Sequence, residues 1–140
     1  MTSRRIIAVL RILFGLHFLF NGLNYMFHFV DIPKPPGGDT AMANVLMDAF
    51  VNSGMFVIAK TTEAVTGLML IFNLWVPLAL VLAFPVTVII AYMDVMLTGV
   101  PLYAALGAIT FIWNAGLMLA YLPYYKPFLV RSATPGASAA

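Results

Sequence analysis

Lys60 and Glu63 are two charged residues, three positions apart, in a stretch that is otherwise mostly apolar. The stretch from Met55 to Leu74 reads MFVIAKTTEAVTGLMLIFNL, which is long enough to cross a membrane as a helix. A charge near the bilayer centre costs roughly 2.5–3.5 kcal/mol on insertion scales. Positions i and i+3 share one face of a helix, so the two side chains can pair while they point inward. Ionisable residues in such a place indicate a functional site, and this pair is its predicted centre.

Polar side chains also recur at helical spacing in three other apolar stretches. Residues three or four positions apart lie on one face of a helix, so each stretch has a single stripe that holds most of its polar groups. We interpret these stripes as facing inward. The four stripes contain His17, Asn21, Asn24 and His28; Lys60, Glu63 and Gly67; Thr87 and Asp94; and Tyr103, Gly107, Thr110 and Asn114.

Several of these polar groups have similar predicted depths. With a rise of about 1.5 Å per residue, Glu63 and Asn21 lie roughly 12 Å below the outer edge, and Lys60 and Asn24 roughly 7–8 Å below it. These depths predict one polar pocket in the outer half of the protein, open toward the outer face. The residues assigned to this pocket are His17, Asn21, Asn24, Tyr25, Lys60, Glu63, Asp94 and Asn114.

Structural roles are an alternative for some of these residues. Each of Asn21, Asn24 and Asn114 could instead hold two helices together by hydrogen bonds, at about 0.6–2 kcal/mol each. Asp94 could be solvated at the outer rim. Arg11, five residues inside the first stretch, is expected to extend toward the inner headgroups.

The composition identifies an integral membrane protein. Of its 140 residues, 63% are hydrophobic and 9% are charged, whereas soluble domains carry about 25% charged residues. Four apolar stretches, 6–29, 55–74, 77–97 and 101–122, each approach the ~20 residues that span a bilayer. Backbone groups in lipid must be satisfied internally, so these stretches are predicted to be helices.

The connections between the stretches predict the architecture. Residues 75–76 and 98–100 are the only connections between neighbouring stretches there, so the chain must reverse its direction in a tight turn. Short connections favour antiparallel neighbours. The predicted fold is all-α: a single domain, 1–140, forming an antiparallel four-helix transmembrane bundle. Residues 41–52, with a polar side chain at every fourth position, predict a short amphipathic helix in the first outer loop. The tail 131–140 is predicted to be disordered.

Basic residues predict the orientation. Arg4, Arg5 and Arg11 lie at the start of the first stretch, and Lys126 and Arg131 follow the last one, whereas Lys34 is the only basic residue in the loops on the other side. The positive-inside rule then places both termini in the cytoplasm, with the chain passing several times through the inner cell membrane. The expected partner is the lipid bilayer. The chain carries too few charges to suggest nucleic-acid binding.

Intrinsic cofactors have little support. The chain has no Cys and two His, so it cannot hold an iron–sulfur cluster through its own thiolates. His17 and His28 are roughly 16 Å apart along one helix and cannot bind the same metal ion within one copy. Phosphate-binding and dinucleotide-binding motifs are also absent from the sequence.

Two short motifs resemble those of a known family. Arg11-x3-Gly15-x2-Phe18-x3-Gly22 is similar to the first-helix pattern of DoxX-type membrane proteins, and Lys60-x2-Glu63-x3-Gly67-x2-Leu70 is similar to their second-helix pattern. The resemblance covers about residues 6–122. It departs at Tyr25, where members often carry Lys.

The resemblance implies a redox-linked role. DoxX-type proteins are associated with respiratory oxidoreductases, and one branch supplies the membrane subunit of a thiosulfate:quinone oxidoreductase. The first hypothesis is therefore a membrane subunit that binds a small amphipathic molecule, with a quinone as the suggested ligand, and receives electrons through an oxidoreductase partner. The alternative is a non-enzymatic scaffold or a small proton-coupled transporter. The sequence leaves catalysis and homo-oligomerisation open.

Overall fold

The computed structural model of the protein describes residues 3–31 and 41–129, which fold almost entirely into helices. No strand occurs in these two ranges. The predicted disordered tail 131–140 lies outside the described residues, as do Lys34 and Arg131, which entered the orientation argument. The elements are α1 (Ser3–Phe27), α2 (Met42–Asn52), α3 (Met55–Ile71), α4 (Val76–Tyr92), a π-helical turn (Met93–Leu97) that continues α4, α5 (Pro101–Ala120), and two 3₁₀ turns (Leu122–Tyr124 and Lys126–Phe128).

Three of these helical stretches are long and apolar enough to cross a membrane: Ser3–Phe27, Val76–Leu97 and Pro101–Ala120. The pair α2 and α3 also meets this condition if it is taken as one span, but it is bent by 83°. Large apolar side chains on the outside, such as Leu16 at 49% and Ile112 at 65% exposed, suit contact with lipid. The chain is thus a multi-pass membrane protein.

Backbone conformation sets the ends of the helices. The prediction ran the first helix to residue 29, but α1 ends at Phe27 because His28 has φ 52°. The second apolar stretch was predicted to reach residue 74, but α3 ends at Ile71, and Asn73 and Trp75 have φ 59° and 42°. Positive φ is incompatible with a continuing right-handed helix. Gly54, with φ 79°, separates α2 from α3.

Glycines bring α1 and α3 together in the most extensive helix contact of the described chain. A Cβ added to Gly22 would lie 2.6 Å from the Lys60 carbonyl oxygen, and one added to Gly67 would lie 2.6 Å from the Leu19 nitrogen. Only residues without side chains permit such a backbone approach. Since Gly15 faces Gly67 while Gly22 faces Lys60, α1 and α3 run in opposite directions.

The hydrophobic core is shared by α1, α3, α4 and α5. Phe14 and Phe18 are almost fully buried, and their ring centroids are 4.5 Å apart. The other core members are Leu70, Val76, Ala79, Leu80, Ala83 and Leu117. We call the end of the molecule where α1 begins the inner end, and the opposite one the outer end.

Tyr125 anchors the end of the described chain to the start of α4. Its hydroxyl donates a hydrogen bond to the Pro77 carbonyl oxygen at 2.9 Å. Burial, with Tyr121 nearby, raises the pKa of Tyr125. The hydroxyl therefore remains protonated, and able to donate, at neutral pH.

Candidate functional site

A buried ion pair joins Lys60 and Glu63 near the outer end of α3. The Lys60 Nζ lies 3.0 Å from Oε1 and 2.8 Å from Oε2 of Glu63. Glu63 is 1% exposed. The pairing predicted from the i, i+3 spacing is confirmed. A carboxylate this deeply buried depends on the ammonium group, because an uncompensated charge in the interior is strongly unfavourable.

Aromatic rings cover the ion pair toward the outer end. The Lys60 Nζ lies 5.1 Å from the ring centroid of Phe56, within the range of a cation–π interaction. Tyr25 on α1 meets Phe56 edge to face, with centroids 4.9 Å apart. The sequence analysis did not assign Phe56 to the site. Its position one turn before Lys60 was the signal that could have found it.

His17 and Asn21 form a second polar group on α1. The Asn21 Nδ2 donates to the His17 carbonyl oxygen at 2.8 Å and lies 3.3 Å from the His17 Nδ1. If Nδ1 accepts that bond, a neutral His17 carries its proton on Nε2 and can donate from there. The side chain of His17 is exposed, and its helix meets α3 at Gly22, which contacts the Lys60 carbonyl oxygen. His17 is thus an accessible donor beside the buried pair.

Asn24 closes the turn after α1. Its Nδ2 donates to the Val30 carbonyl oxygen at 2.9 Å, and its Oδ1 accepts from the Val30 nitrogen at 2.8 Å. Asn24 is 5% exposed. Both bonds hold the chain where His28 leaves the helical conformation. These bonds are structural, but they join α1 to the turn that follows it and not to a second helix, which was the structural role that the sequence left open for Asn24.

Replacing Asn24 should therefore lower stability more than replacing Asn21. Asn24→Leu removes two hydrogen bonds that close a turn, each contributing about 0.5–1.5 kcal/mol. Asn21→Leu removes bonds that stay within one helix and is the matched control. Thermal unfolding in one detergent should show the larger loss for Asn24→Leu. Equal losses would contradict the structural role.

Asp94 lies where α4 and its π-helical turn pack against α5. A Cβ added to Gly107 would be 2.6 Å from the Asp94 Cβ and 3.1 Å from its Oδ2. The Thr98 hydroxyl donates to the Asp94 carbonyl oxygen at 2.7 Å, within the π-helical turn. Asp94 therefore packs against α5, and within the described residues its carboxylate forms no ion pair with Lys60.

Asn114 also belongs to the contact between α4 and α5. It is fully buried, and its Nδ2 lies 3.2 Å from the Thr87 Oγ1 and 3.4 Å from the Leu80 carbonyl oxygen. The Leu80 carbonyl lies beside that of Val81, which Pro85 leaves without its helical donor. These bonds correspond to the interhelical role that the sequence left open.

The structure divides the eight predicted site residues into three groups. One surrounds the contact of α1 with α3, one closes the turn after α1, and one lies between α4 and α5. None of the eight lines the cavity of about 180 Å³ between α3 and α4, which is formed in part by Thr62, Thr66 and Leu82. The first group, which we call the outer cluster, consists of His17, Asn21, Tyr25, Lys60 and Glu63, with Phe56 added.

Comparison with known families identifies the chain. The sequence pattern of DoxX matches residues 6–97. This chain belongs to the DoxX family. The match includes both short motifs and ends before α5, whereas the resemblance was predicted to extend to residue 122. Comparisons with curated proteins and with solved structures give no match.

The two DoxX motifs have distinct physical roles in this protein. Gly15, Gly22 and Gly67 supply the close backbone contact of α1 with α3. Lys60 and Glu63 form the ion pair next to this contact, where Gly22 meets the Lys60 carbonyl oxygen. Metal binding has no support within the described ranges, where no three His, Asp or Glu side chains are grouped to hold an ion.

Proposed function

We propose that this DoxX protein binds a small amphipathic molecule with a carbonyl head group at the outer cluster and acts as the membrane subunit of a redox system. The observation that carries the proposal is an exposed His17, oriented by Asn21, beside the buried ion pair of Lys60 and Glu63. A polar donor on the outside of an apolar helix is unfavourable in lipid unless it has a partner.

The outer cluster offers donors for a carbonyl oxygen. The His17 Nε2 can donate when Nδ1 accepts from Asn21. Lys60 has three N–H groups and directs its nitrogen at the two oxygens of Glu63, which leaves one donor. The half-buried Tyr25 adds a hydroxyl next to Phe56. This donor set, together with the redox role that DoxX resemblance implies, favours a quinone.

The topology that serves this function has four spans. α3 is the span that is added to α1, α4 and α5. Its 17 residues extend over about 26 Å at the helical rise, and α2 lies across its outer end. The four spans form an antiparallel bundle in the inner membrane with both termini in the cytoplasm, as Arg4, Arg5 and Lys126 suggest. The chain has no Cys, and electrons come from an oxidoreductase partner.

A binding titration tests the ligand. We expect a short-chain ubiquinone to bind the purified protein in lipid nanodiscs, and His17→Phe to weaken binding by about three- to tenfold, the effect of one hydrogen bond. Phe keeps an aromatic ring but removes both ring nitrogens. Isothermal calorimetry gives the dissociation constant.

Leu16→Phe is the matched control, because it places the same ring at the neighbouring position, where Leu16 is 49% exposed. The affinity of the Leu16→Phe variant for ubiquinone should equal that of the wild type. Absence of ubiquinone binding, or equal weakening by both variants, would contradict the proposal and favour the scaffold or transporter alternative.

A further inference from the structure

Arg11 is a buried cation toward the inner end of the protein. It is 8% exposed, and its Nε is buried without a hydrogen-bond partner among the described residues. A guanidinium group stays protonated in proteins, so Arg11 carries a charge in an apolar region. The sequence analysis expected this side chain to extend to the headgroups, but most of it is enclosed by the protein.

No acidic residue of the described chain forms an ion pair with Arg11. Gly15 faces Gly67, and Arg11 is one turn farther inward while Glu63 is one turn farther outward. Arg11 and Glu63 are therefore about 12 Å apart along the helix axis. Glu63 is also paired with Lys60, and Asp94 packs against Gly107 near the other end of α5. Within the described residues, Arg11 therefore has no counter-charge.

An apolar cavity lies between α1 and α5, and one of its walls is Leu10, the neighbour of Arg11 in the sequence. Its volume is about 280 Å³, and Ile7, Leu10, Trp113 and Gly116 are among the residues that line it. Leu10 is 40% exposed, so this wall meets the surrounding lipid. The Trp113 Nε1 is buried and, within the described chain, also lacks a partner.

We propose that one anionic phospholipid binds at this seam, with its phosphate against Arg11 and an acyl chain in the cavity. Charge complementarity selects the head group, because Arg11 has no anion of its own in the described chain. The apolar walls suit an acyl chain, and the Trp113 Nε1 can donate to an ester carbonyl oxygen. Arg4 and Arg5, which are exposed at the same end, attract anionic lipids to it. The outer cluster takes no part in this site.

Trp113 permits a direct test, because the chain has two Trp. Trp75 is 75% exposed, and Trp75→Phe makes Trp113 the sole fluorophore. This variant is placed in phosphatidylcholine vesicles for two separate titrations. One adds increasing mole fractions of phosphatidylglycerol with brominated acyl chains, and the other adds phosphatidylcholine with the same brominated chains. Bromine quenches Trp only at close range. The mole fraction at half-maximal quenching should be about fivefold lower for brominated phosphatidylglycerol than for brominated phosphatidylcholine. This is the ratio expected for the attraction of one Arg to one anionic lipid.

Three variants on this background show where the lipid binds. Arg11→Gln should make the two lipids quench equally, whereas Arg4→Gln removes a charge at the same end and should retain most of the difference. Gly116→Leu should abolish the difference by filling the cavity. A Cβ at Gly116 meets no atom within 4 Å, so this variant should fold even if Arg11→Gln does not. Equal quenching in the parent variant, or a preference that survives Gly116→Leu, would overturn the proposal.

Discussion

Lys60→Met is expected to destabilise the protein by about 3–5 kcal/mol, because it leaves the Glu63 carboxylate buried without its partner. Glu63 is 1% exposed, and both of its oxygens lie within 3.0 Å of the Lys60 nitrogen. Met keeps the length of the Lys side chain and its contact with Phe56 while removing the charge. The free energy of unfolding, measured in a single detergent, gives the loss.

The double variant Lys60→Met with Glu63→Leu should be much closer to the wild type than the single one. Replacing both partners of a buried pair by apolar residues is often neutral or stabilising, since no charge remains to be desolvated. Lys126→Met, which removes an exposed charge outside the helical spans, is the control and should change little. A double variant as unstable as Lys60→Met would show that the pair stabilises the fold beyond neutralising itself.

This comparison also bears on why the pair is present. If the double variant is stable but no longer binds a quinone, the ion pair serves the ligand and not the fold. If it is stable and binds normally, the carbonyl is recognised by His17 and Tyr25, and the proposal for Lys60 is wrong.

Gly22→Ala should be among the most damaging substitutions that add a single methyl group, with a loss of about 1–3 kcal/mol, the usual range for overpacking. The new Cβ would lie 2.6 Å from two backbone atoms of α3, the Ala64 nitrogen and the Lys60 carbonyl oxygen. Backbone atoms cannot rotate away, so α1 and α3 must separate. The separation would also loosen the enclosure of Lys60.

Gly116→Ala is the matched control for Gly22→Ala. It adds the same methyl group to a glycine in a helix, but its Cβ meets open space. It should be neutral or stabilising by up to about 1 kcal/mol, because Ala favours helix more than Gly does. Chemical unfolding of both variants in one detergent measures the difference, and equal stabilities would show that the two helices can shift without cost.

A double-mutant cycle that combines Gly22→Ala with Gly67→Ala extends this prediction. The Cβ added by Gly67→Ala would meet the Leu19 nitrogen at 2.6 Å, in the same helix contact. Once α1 and α3 have separated to accept one methyl group, the second should cost less, so the double variant should be less damaged than the sum of the two losses. Strict additivity would show that each glycine acts locally.

Local geometry explains which features of the site could be predicted from the sequence. The pairing of Lys60 with Glu63 follows from the helical repeat alone, because residues three apart meet wherever a helix forms. The family follows from the two motifs, which the match over residues 6–97 confirms. The apolar stretches likewise predicted where these helices lie along the chain.

The partners of the other polar residues depended on tertiary packing. Helices in lipid are apolar on most sides, so the periodicity of α4, for example, contains little information about which side meets a neighbour. Close contacts at Gly22, Gly67 and Gly107 decide that. Asp94 lies against Gly107 of α5, and Asn114 of α5 lies against Thr87 of α4.

The sequence by itself therefore determined the class of protein, its apolar helices, its family and one buried ion pair, because each follows from composition or from contacts within a single helix. Only the tertiary structure decided that Asn24 closes a turn on Val30 and that Arg11 is enclosed without an anion among the described residues. The physical reason is that these contacts join separate segments of the chain. Their geometry is set by how the chain turns after α1 and by how closely the helices approach one another, and neither can be derived from the spacing of residues in the sequence.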